Sequence, residues 1–492
     1  MSQICDFYDN QNVLITGGTG FLGKVLIERL LRATNIAQIF LLIRPKRGKD
    51  AETRLFDMLD NVYFNKVRAE NPNFKTRISV VEGDCVSDKL GLSLQDSEKL
   101  VAKVNIVFHV AATVQFNGNI KSAYQINVEG TKNLLKLCQK MKNLKSVVHV
   151  STAFSNCHLD TIDEVFYNYD LGYDQVRVML QDLTPKQADE LSQKILDGWP
   201  NTYAFTKALA EAMIASEAKD LPIGVFRPAI VTSTYKDPIE NWNDSYGGPN
   251  SILVAAGMGY LRLCPCDPRS YMEAVPADLT IASLIAVAWD IYNKNKTEIP
   301  VYNYVSSIDN PITYYEFFHF NAMYFPFYPL TKAQWAPKSR TMKKTLPYHV
   351  LRLLYHYVPA LILDFFRVVR FQKPEMLSRI RKLHTLLGLL SFYNEKKWKF
   401  SNKNVKLLWE KMNEGDRELY NFDISTVQWI HYFRNYYKGL RVYLLKDDLS
   451  TLPQARKKMK RFEFLHNLAL FGIYFLVMNL IWITFSKMYS SF

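Results

Sequence analysis

The chain opens on a short apolar run, Asn12–Thr16, followed by a glycine-rich turn and an apolar pattern of helical period that continues to Ala33. Further apolar runs predict strands over 39–43, 78–81, 105–110, 146–150 and 223–226. Helical periods fill the gaps over 54–62, 120–139 and 203–218. Near-continuous apolar strands alternating with helices predict an α/β fold, a doubly wound parallel sheet of Rossmann type. No repeat or low-complexity segment interrupts it.

The far end has another pattern. Residues 468–485 are 18 residues without a charge, and only seven residues follow. That length just reaches across a hydrocarbon core. Trp482 and Tyr489 suit a membrane interface, whereas Asn479 and Thr484 weaken the span. A basic cluster, Arg456-Lys457-Lys458-Met459-Lys460-Arg461, stands before it. Positive residues stay on the cytosolic side, so the stretch reads as a tail anchor with the bulk of the chain in the cytosol, in preference to a hairpin or a surface helix. A second apolar stretch, 348–371, contains Arg352, His356, Asp364, Arg367 and Arg370, which are too costly at a bilayer centre. With Pro347 and Pro359 as breaks, it reads as two short helices on the domain surface or on the membrane face. The first ten residues lack the apolar core of a signal peptide.

At 492 residues the chain exceeds what one core holds. The expected division is 1–330, a mostly helical 331–462 and the anchor 463–492. Charge supports a change of character near 330. Residues 331–492 carry 29 Lys and Arg against 11 Asp and Glu, leaving 32 against 36 before them. A basic surplus implies acidic partners, and its place beside apolar runs favours lipid over nucleic acid, for which no reading helix is apparent. The six cysteines form no Cys-x-x-Cys pair, and Cys264-Pro-Cys266 has no histidine at metal-binding spacing. Reduced cysteines and no metal site are expected.

The turn after the first strand is Gly17-Gly18-Thr19-Gly20-Phe21-Leu22-Gly23. Between a strand and a helix these glycines form a dinucleotide cradle. Gly17 makes the tight turn, Gly20 lets a pyrophosphate approach and Gly23 lets helix pack on strand. The helix N-terminus offers free amides to the phosphates. At the end of the second strand, where a fold preferring NAD carries an acid, stand Arg44, Lys46 and Arg47. A guanidinium suits a 2′-phosphate, so NADPH is expected. Asp84 is placed by the adenine, and Ala111-Ala112-Thr113 by the nicotinamide ribose.

Tyr203 and Lys207 stand four apart on one helical face. The Lys207 charge would favour the phenolate of Tyr203, which could then hand a proton to a carbonyl as hydride arrives. A second donor is available where the fifth strand ends, in Ser151-Thr152, with Thr152 the first choice and Ser151 the second.

Thr16–Gly23, Asn127, Ser151-Thr152 and Tyr203…Lys207 resemble the extended short-chain dehydrogenases/reductases. More closely, Thr16-Gly-Gly-Thr-Gly-Phe-Leu-Gly-Lys24, His109-Val-Ala-Ala-Thr-Val-Gln-Phe116, His149-Val-Ser-Thr-Ala-Phe154, Thr206-Lys-Ala-Leu-Ala-Glu211 and Arg227-Pro-Ala-Ile-Val231 resemble the fatty acyl-coenzyme A reductases. So do Pro200-Asn-Thr-Tyr203 and Leu452-Pro-Gln-Ala-Arg456, and the likeness spans nearly the whole chain. It implies NADPH-dependent reduction of a long-chain acyl-CoA to a primary alcohol on a membrane of the endoplasmic reticulum or peroxisome. The catalytic residues would be Tyr203, Lys207, Thr152 and Ser151. The cofactor residues would be Thr16, Gly17, Gly20, Phe21, Leu22, Gly23, Arg44, Asp84, Ala111 and Lys207. Between Thr152 and Tyr203 lies an acidic insert, 159–198, either a substrate lid or an ordinary surface helix pair. Cations of the second part would meet the phosphates of CoA, and aromatic residues of 314–328 and 348–371 would line a tunnel, face lipid or fill the core. A reductase of another lipid such as a sterol, or a scaffold with a degenerate site, are the competing readings. The first has no use for a large basic region, and the second would have lost Tyr203, Lys207 or a loop glycine.

Overall fold

A computed structural model describes residues 2–116, 118–196, 198–294 and 298–489. Its chain forms two units, and alternates between them. Unit 1 comprises residues 1–243, 271–312 and 396–429; unit 2 comprises 244–270, 313–395 and 430–492. A single cut near 330 therefore does not describe the chain. Residues 396–429 return to unit 1 for a physical reason: its edge needs them. Lys399–Phe400 pairs in parallel with Thr161–Ile162, Asn404 donates to the Val301 carbonyl at 2.7 Å, and Glu164 accepts the backbone N–H groups of Asn303 and Asn404 at 2.9 and 2.7 Å.

The sheet of unit 1 has seven parallel strands: β1 Asn12–Thr16, β2 Gln38–Ile43, β3 Ile78–Glu82, β4 Ile106–His109, β5 Ser146–Val150, β6 Ile223–Pro228 and β7 Val301–Tyr304. Their spatial order is β7-β6-β5-β4-β1-β2-β3. This is the doubly wound order, with its reversal between β1 and β4. All but the edge strand β3 are buried nearly throughout. Helices on both faces remove water from them, and full burial of a valine such as Val147 or Val148 is worth roughly 1.5–3 kcal/mol. Six of the strands follow from the pattern of the chain. The seventh, Val-Tyr-Asn-Tyr, has too short an apolar run to stand out. The buried helix Ala277–Asn293, which packs on β5 and β6, also went unread because it is apolar all round and so has no periodicity. Register sets the site. Thr16 stands opposite His109, His109 opposite His149, and Val150 opposite Phe226, so four carboxyl ends open onto one edge.

Helix bounds shift where caps decide them. The helix expected over 54–62 is Ala51–Leu59, because Asp50 caps it by accepting the Thr53 N–H at 2.7 Å. The helix over 120–139 is interrupted by a π-turn, Gln125–Glu129, that carries Asn127.

Unit 2 is held by aromatic packing. Phe317 and Phe433 lie edge to face at 5.3 Å, as do Phe325 and Tyr437 at 4.5 Å, and Tyr436 donates to the Asn250 side chain at 2.6 Å. The aromatic residues Tyr314, Phe317, Phe318 and Phe325 are therefore core. Residues 346–369 form one helical run, Leu346–Arg352, a π-turn Leu353–Tyr357 and Val358–Val369. Pro359 does not break it, because it falls in the first turn after the π-turn, where a missing N–H is tolerated. The helix Leu452–Tyr489 closes the chain, and its apolar window is unburied and long enough to cross a membrane.

Candidate active site

The cradle is built as glycine chemistry requires. Gly17 has φ +75°, and a Cβ there would stand 2.6 Å from the Ala111 nitrogen. A Cβ on Gly23 would stand 2.4 Å from the Gly17 carbonyl oxygen. Backbone thus meets backbone at both positions, and no larger residue fits. Gly20 begins the helix Phe21–Ala33, and its extended backbone turns the first-turn amides of Phe21 and Leu22 outward. The Phe21 ring stacks on Trp242 at 5.5 Å. These residues fit the pyrophosphate of a nicotinamide dinucleotide. Thr16 is used differently. Its hydroxyl is hydrogen-bonded to His109 Nδ1 at 2.7 Å and accepts the Ala111 N–H at 3.3 Å, so it fixes the neighbouring loop.

Beyond β2, Arg44 pairs with Asp84 at 3.0 Å, both partly exposed. Arg54, which the sequence reading did not single out, donates to the Arg44 carbonyl and to the Thr19 hydroxyl, the latter at 3.0 Å. It ties the glycine loop to the basic turn. The Arg44 charge, then partial burial and the Arg47 and Arg54 charges, hold Lys46 below its ordinary pKa. Such mutual repulsion marks a site that an anion would relieve.

The helix that carries Tyr203 and Lys207, the candidate catalytic helix, is Thr202–Glu217, capped by Asn201, whose side chain accepts the Ala204 N–H at 3.0 Å. Tyr203 lies in its first turn, half-buried, with its ring stacked on Phe116 at 5.9 Å. Thr152 is the polar side chain that favours the Tyr203 phenolate. Burial raises the phenol to about 12, while the Thr152 hydroxyl pulls the other way. Lys207 stands on the same helical face as Tyr203 and is anchored at the end of β5. Its ammonium donates to the Val150 carbonyl at 2.7 Å, and burial lowers it to about 8. The phenol therefore keeps its proton at neutral pH, with Thr152 its polar neighbour.

Ser151 is committed elsewhere. Its hydroxyl donates to Glu211, a buried carboxylate that also receives Arg227 Nε at 3.0 Å and Nη2 at 2.7 Å. Arg227 in turn donates to the Asp163 and Val165 carbonyls at the start of the insert. Glu211 and Arg227 were visible only as members of motifs without a role; the available signal was the spacing Tyr203, Lys207, Glu211, three positions on one helical face. Beneath the site, His109 and His149 are buried, their rings 5.3 Å apart. Burial first, and the Lys207 charge second, bring His109 down to about 3 and His149 well below its ordinary value. Both are neutral. Asn127 accepts the Thr113 N–H at 2.9 Å and donates to Thr206 at 2.9 Å, joining the loop after β4 to the catalytic helix.

The insert forms two helices, Tyr173–Gln181 and Pro185–Ile195. Val176, Leu180, Ala188 and Ile195 pack with Phe205 and Leu209 of the candidate catalytic helix, while the opposite faces of the pair are exposed. Asp197, one of the acids of the insert, lies outside the described residues.

Comparison with known proteins places this geometry. Residues 15–284 match the NAD-binding model of the male sterility protein family, and residues 355–447 match its second, sterile-domain model. Over 460 residues, 94% of this chain and 89% of the relative, the sequence is 39% identical to fatty acyl-CoA reductase wat of Drosophila melanogaster. It is 33% identical to fatty acyl-CoA reductase 2 of Homo sapiens, covering 96% of this chain and 93% of that one. Among solved structures, the terminal R domain of the myxalamid biosynthetic pathway covers 88% of this chain and 91% of its own at 18% identity, with a TM-score of 0.60. The reductase domain of a Mycobacterium tuberculosis non-ribosomal peptide synthetase covers 88% and 92% at 19% identity, with a TM-score of 0.58. The two structures share the fold. With relatives that match it nearly end to end, the chain belongs to the male sterility family, that of the fatty acyl-CoA reductases.

Proposed function

We propose that this reductase converts a long-chain fatty acyl-CoA to a primary alcohol and free CoA, with NADPH, at the edge where β5 meets the catalytic helix. The observation that carries the reading is the placement of Tyr203 in the first turn of its helix with Thr152, at the carboxyl end of β5, as the polar side chain that favours its phenolate. The nicotinamide cofactor, when bound, would supply one hydride per molecule, so the two reductions consume two reduced cofactors in turn. Tyr203 and Thr152 hydrogen-bond the oxygen of a thioester carbonyl as charge develops on it, and Tyr203 delivers the proton. Lys207 is held by Val150 on the same side and keeps a positive charge near the phenol. Collapse of the hemithioacetal expels the CoA thiolate and leaves an aldehyde. The same two donors then serve the aldehyde oxygen, so one site serves both reductions. Arg44, with Lys46, Arg47 and Arg54, supports a 2′-phosphate, hence NADPH. The basic cluster 456–461 followed by an unburied apolar helix supports a tail anchor, with the catalytic unit on the cytosolic face of the endoplasmic reticulum or peroxisome. The curated relatives are fatty acyl-CoA reductases, which disfavours a sterol substrate or a scaffold.

The test is product analysis. Purified protein is given a panel of acyl-CoAs with NADPH or NADH, and products are separated by gas chromatography. Primary alcohol formed preferentially with NADPH is expected. No alcohol and no aldehyde from any acyl-CoA would overturn the reading.

A further inference from the structure

The helical run 346–369 has a surface that folding of its own unit leaves unexplained. Only a narrow stripe is docked: Tyr348, His356, Ala360 and Asp364 are buried. His356 Nε2 accepts the Arg262 and Leu263 N–H groups at 2.9 and 3.2 Å, and Asp364 accepts those of Glu375, Met376 and Leu377 at 2.8 Å each. The helix is thus firmly seated along one line. Around the rest of its circumference stand apolar side chains, among them Leu354, Leu361, Ile362, Phe365, Phe366 and Val369, each at least half exposed. A soluble surface does not leave a continuous apolar face of that size bare.

Its end is stranger. Phe371 adopts φ 57° just past the helix, a position that glycine fills at low cost, and its side chain is fully exposed. A β-carbon there costs roughly 1 kcal/mol. Folding of this unit draws no packing in return, so an environment outside the protein must. The charges name that environment. Arg352, Arg367, Arg370 and Lys373 flank or follow the apolar face, whereas the one acid of the run, Asp364, is buried. The helix is also close to the root of the tail. Arg262, which His356 holds, lies over the Trp335 ring at 5.8 Å, and Trp335 stacks on Phe462 of the tail helix at 6.0 Å.

We infer that residues 346–371 form an in-plane membrane helix, sunk into the headgroup boundary of the anionic cytosolic leaflet that the tail enters. Apolar side chains over most of a helix suit the soft acyl region better than another protein, which would cover one stripe. Basic residues at its end meet the negative lipid surface. The helix would hold the unit flat against the leaflet from which a long-chain substrate arrives. This rests on the tail anchoring proposed above, and the experiment separates the two.

Full-length protein carrying Cys5→Ser, the other cysteines being buried, is given one new cysteine, labelled with an environment-sensitive nitrobenzoxadiazole and reconstituted into phosphatidylcholine vesicles with 30% phosphatidylserine, about the charge of a cytosolic leaflet. The label sites are Phe365→Cys on the helix, Ile481→Cys on the tail and Leu94→Cys on an exposed helix of unit 1. Doxyl lipids with the quencher shallow or deep in the leaflet report depth. The expected result is blue-shifted emission at 365, quenched at least twofold by the shallow lipid, with 481 quenched by the deep one and 94 by neither. Emission at 365 equal to that at 94 would overturn the inference, while quenching at 481 would leave the anchor standing. A blue shift at 365 with no lipid quenching means that protein, such as a second copy, covers the face, and also overturns it. Quenching at 365 without quenching at 481 upholds the in-plane helix and removes the anchor.

Discussion

Glu211 holds the Ser151 hydroxyl one helical turn beyond Lys207, and Arg227 closes on both carboxylate oxygens from the next strand. The two adjacent hydroxyls at the end of β5 therefore have separate duties, Ser151 toward the buried ion pair and Thr152 toward Tyr203. Ser151→Ala should cost about 1.5–3 kcal/mol of stability, the value of a hydrogen bond to a charged group, with turnover preserved. Thr152→Val should keep stability and lower kcat by about 10²–10³-fold, as loss of an oxyanion donor does. Denaturant titration beside steady-state kinetics distinguishes them. An inactive, fully stable Ser151→Ala variant would reverse the assignment.

Tyr203→Phe keeps the ring against Phe116 and removes the proton. Alcohol formation should fall by about 10²–10⁴-fold, with NADPH affinity unchanged by fluorescence titration. Near-normal turnover would remove Tyr203 as donor.

Lys207 carries a pH signature. Burial lowers it from an ordinary 10.5 to about 8. Between those values the unfolded chain binds a proton that the folded chain does not, so stability should rise with pH across that window. Activity should move the opposite way, because the cation near Tyr203 is lost as pH rises through about 8. A profile of kcat against pH should show that descending limb in the native enzyme and a higher one in Lys207→Arg, since a guanidinium stays charged. A limb that does not move with the substitution belongs to another group.

Cofactor choice tests the basic turn. Arg44→Ala should raise KM for NADPH by at least 10-fold, about 1.4 kcal/mol, and leave NADH nearly untouched, because only NADPH carries the 2′-phosphate. Arg54→Ala should weaken both cofactors, since Arg54 also holds Thr19 in the glycine loop. Equal losses with both cofactors in Arg44→Ala would count against the 2′-phosphate role.

Removal of residues 463–492 should shift protein from the carbonate-resistant membrane pellet toward the soluble fraction, with the in-plane helix leaving a salt-sensitive remainder. A tag fused after Phe492 should resist protease added from the cytosolic side until detergent opens the membrane. Complete carbonate extraction of the full-length protein would exclude the span.

Much of this site could be read from spacing, because local chemistry dictates it. Gly17, Gly23, Tyr203 and Lys207 stand where strand, turn and helix put them, and six of seven strands follow from apolar runs. What stayed hidden depends on partners far along the chain. Lys207 meets the Val150 carbonyl, Ser151 meets Glu211, and Arg54 reaches Thr19, none of which a pattern of residue types can state. The run 346–369 was misread at Pro359 because a π-turn changes which amide the proline ring displaces. The short strand β7 escaped because its neighbours, more than its own composition, make it a strand.

The hydrogen bond from Lys396 to the His158 carbonyl joins positions 238 apart. During synthesis, then, the dinucleotide-binding sheet is made long before the segment that finishes its edge, and Glu164 must wait for the Asn404 amide. Closures over such separations are slow. Until that segment is made, the edge lacks its covering partner, the condition in which unpaired edges invite aggregation. The last segment of this unit ends at Trp429, ahead of the apolar helix Leu452–Tyr489, so the sheet edge can be finished before that helix is made.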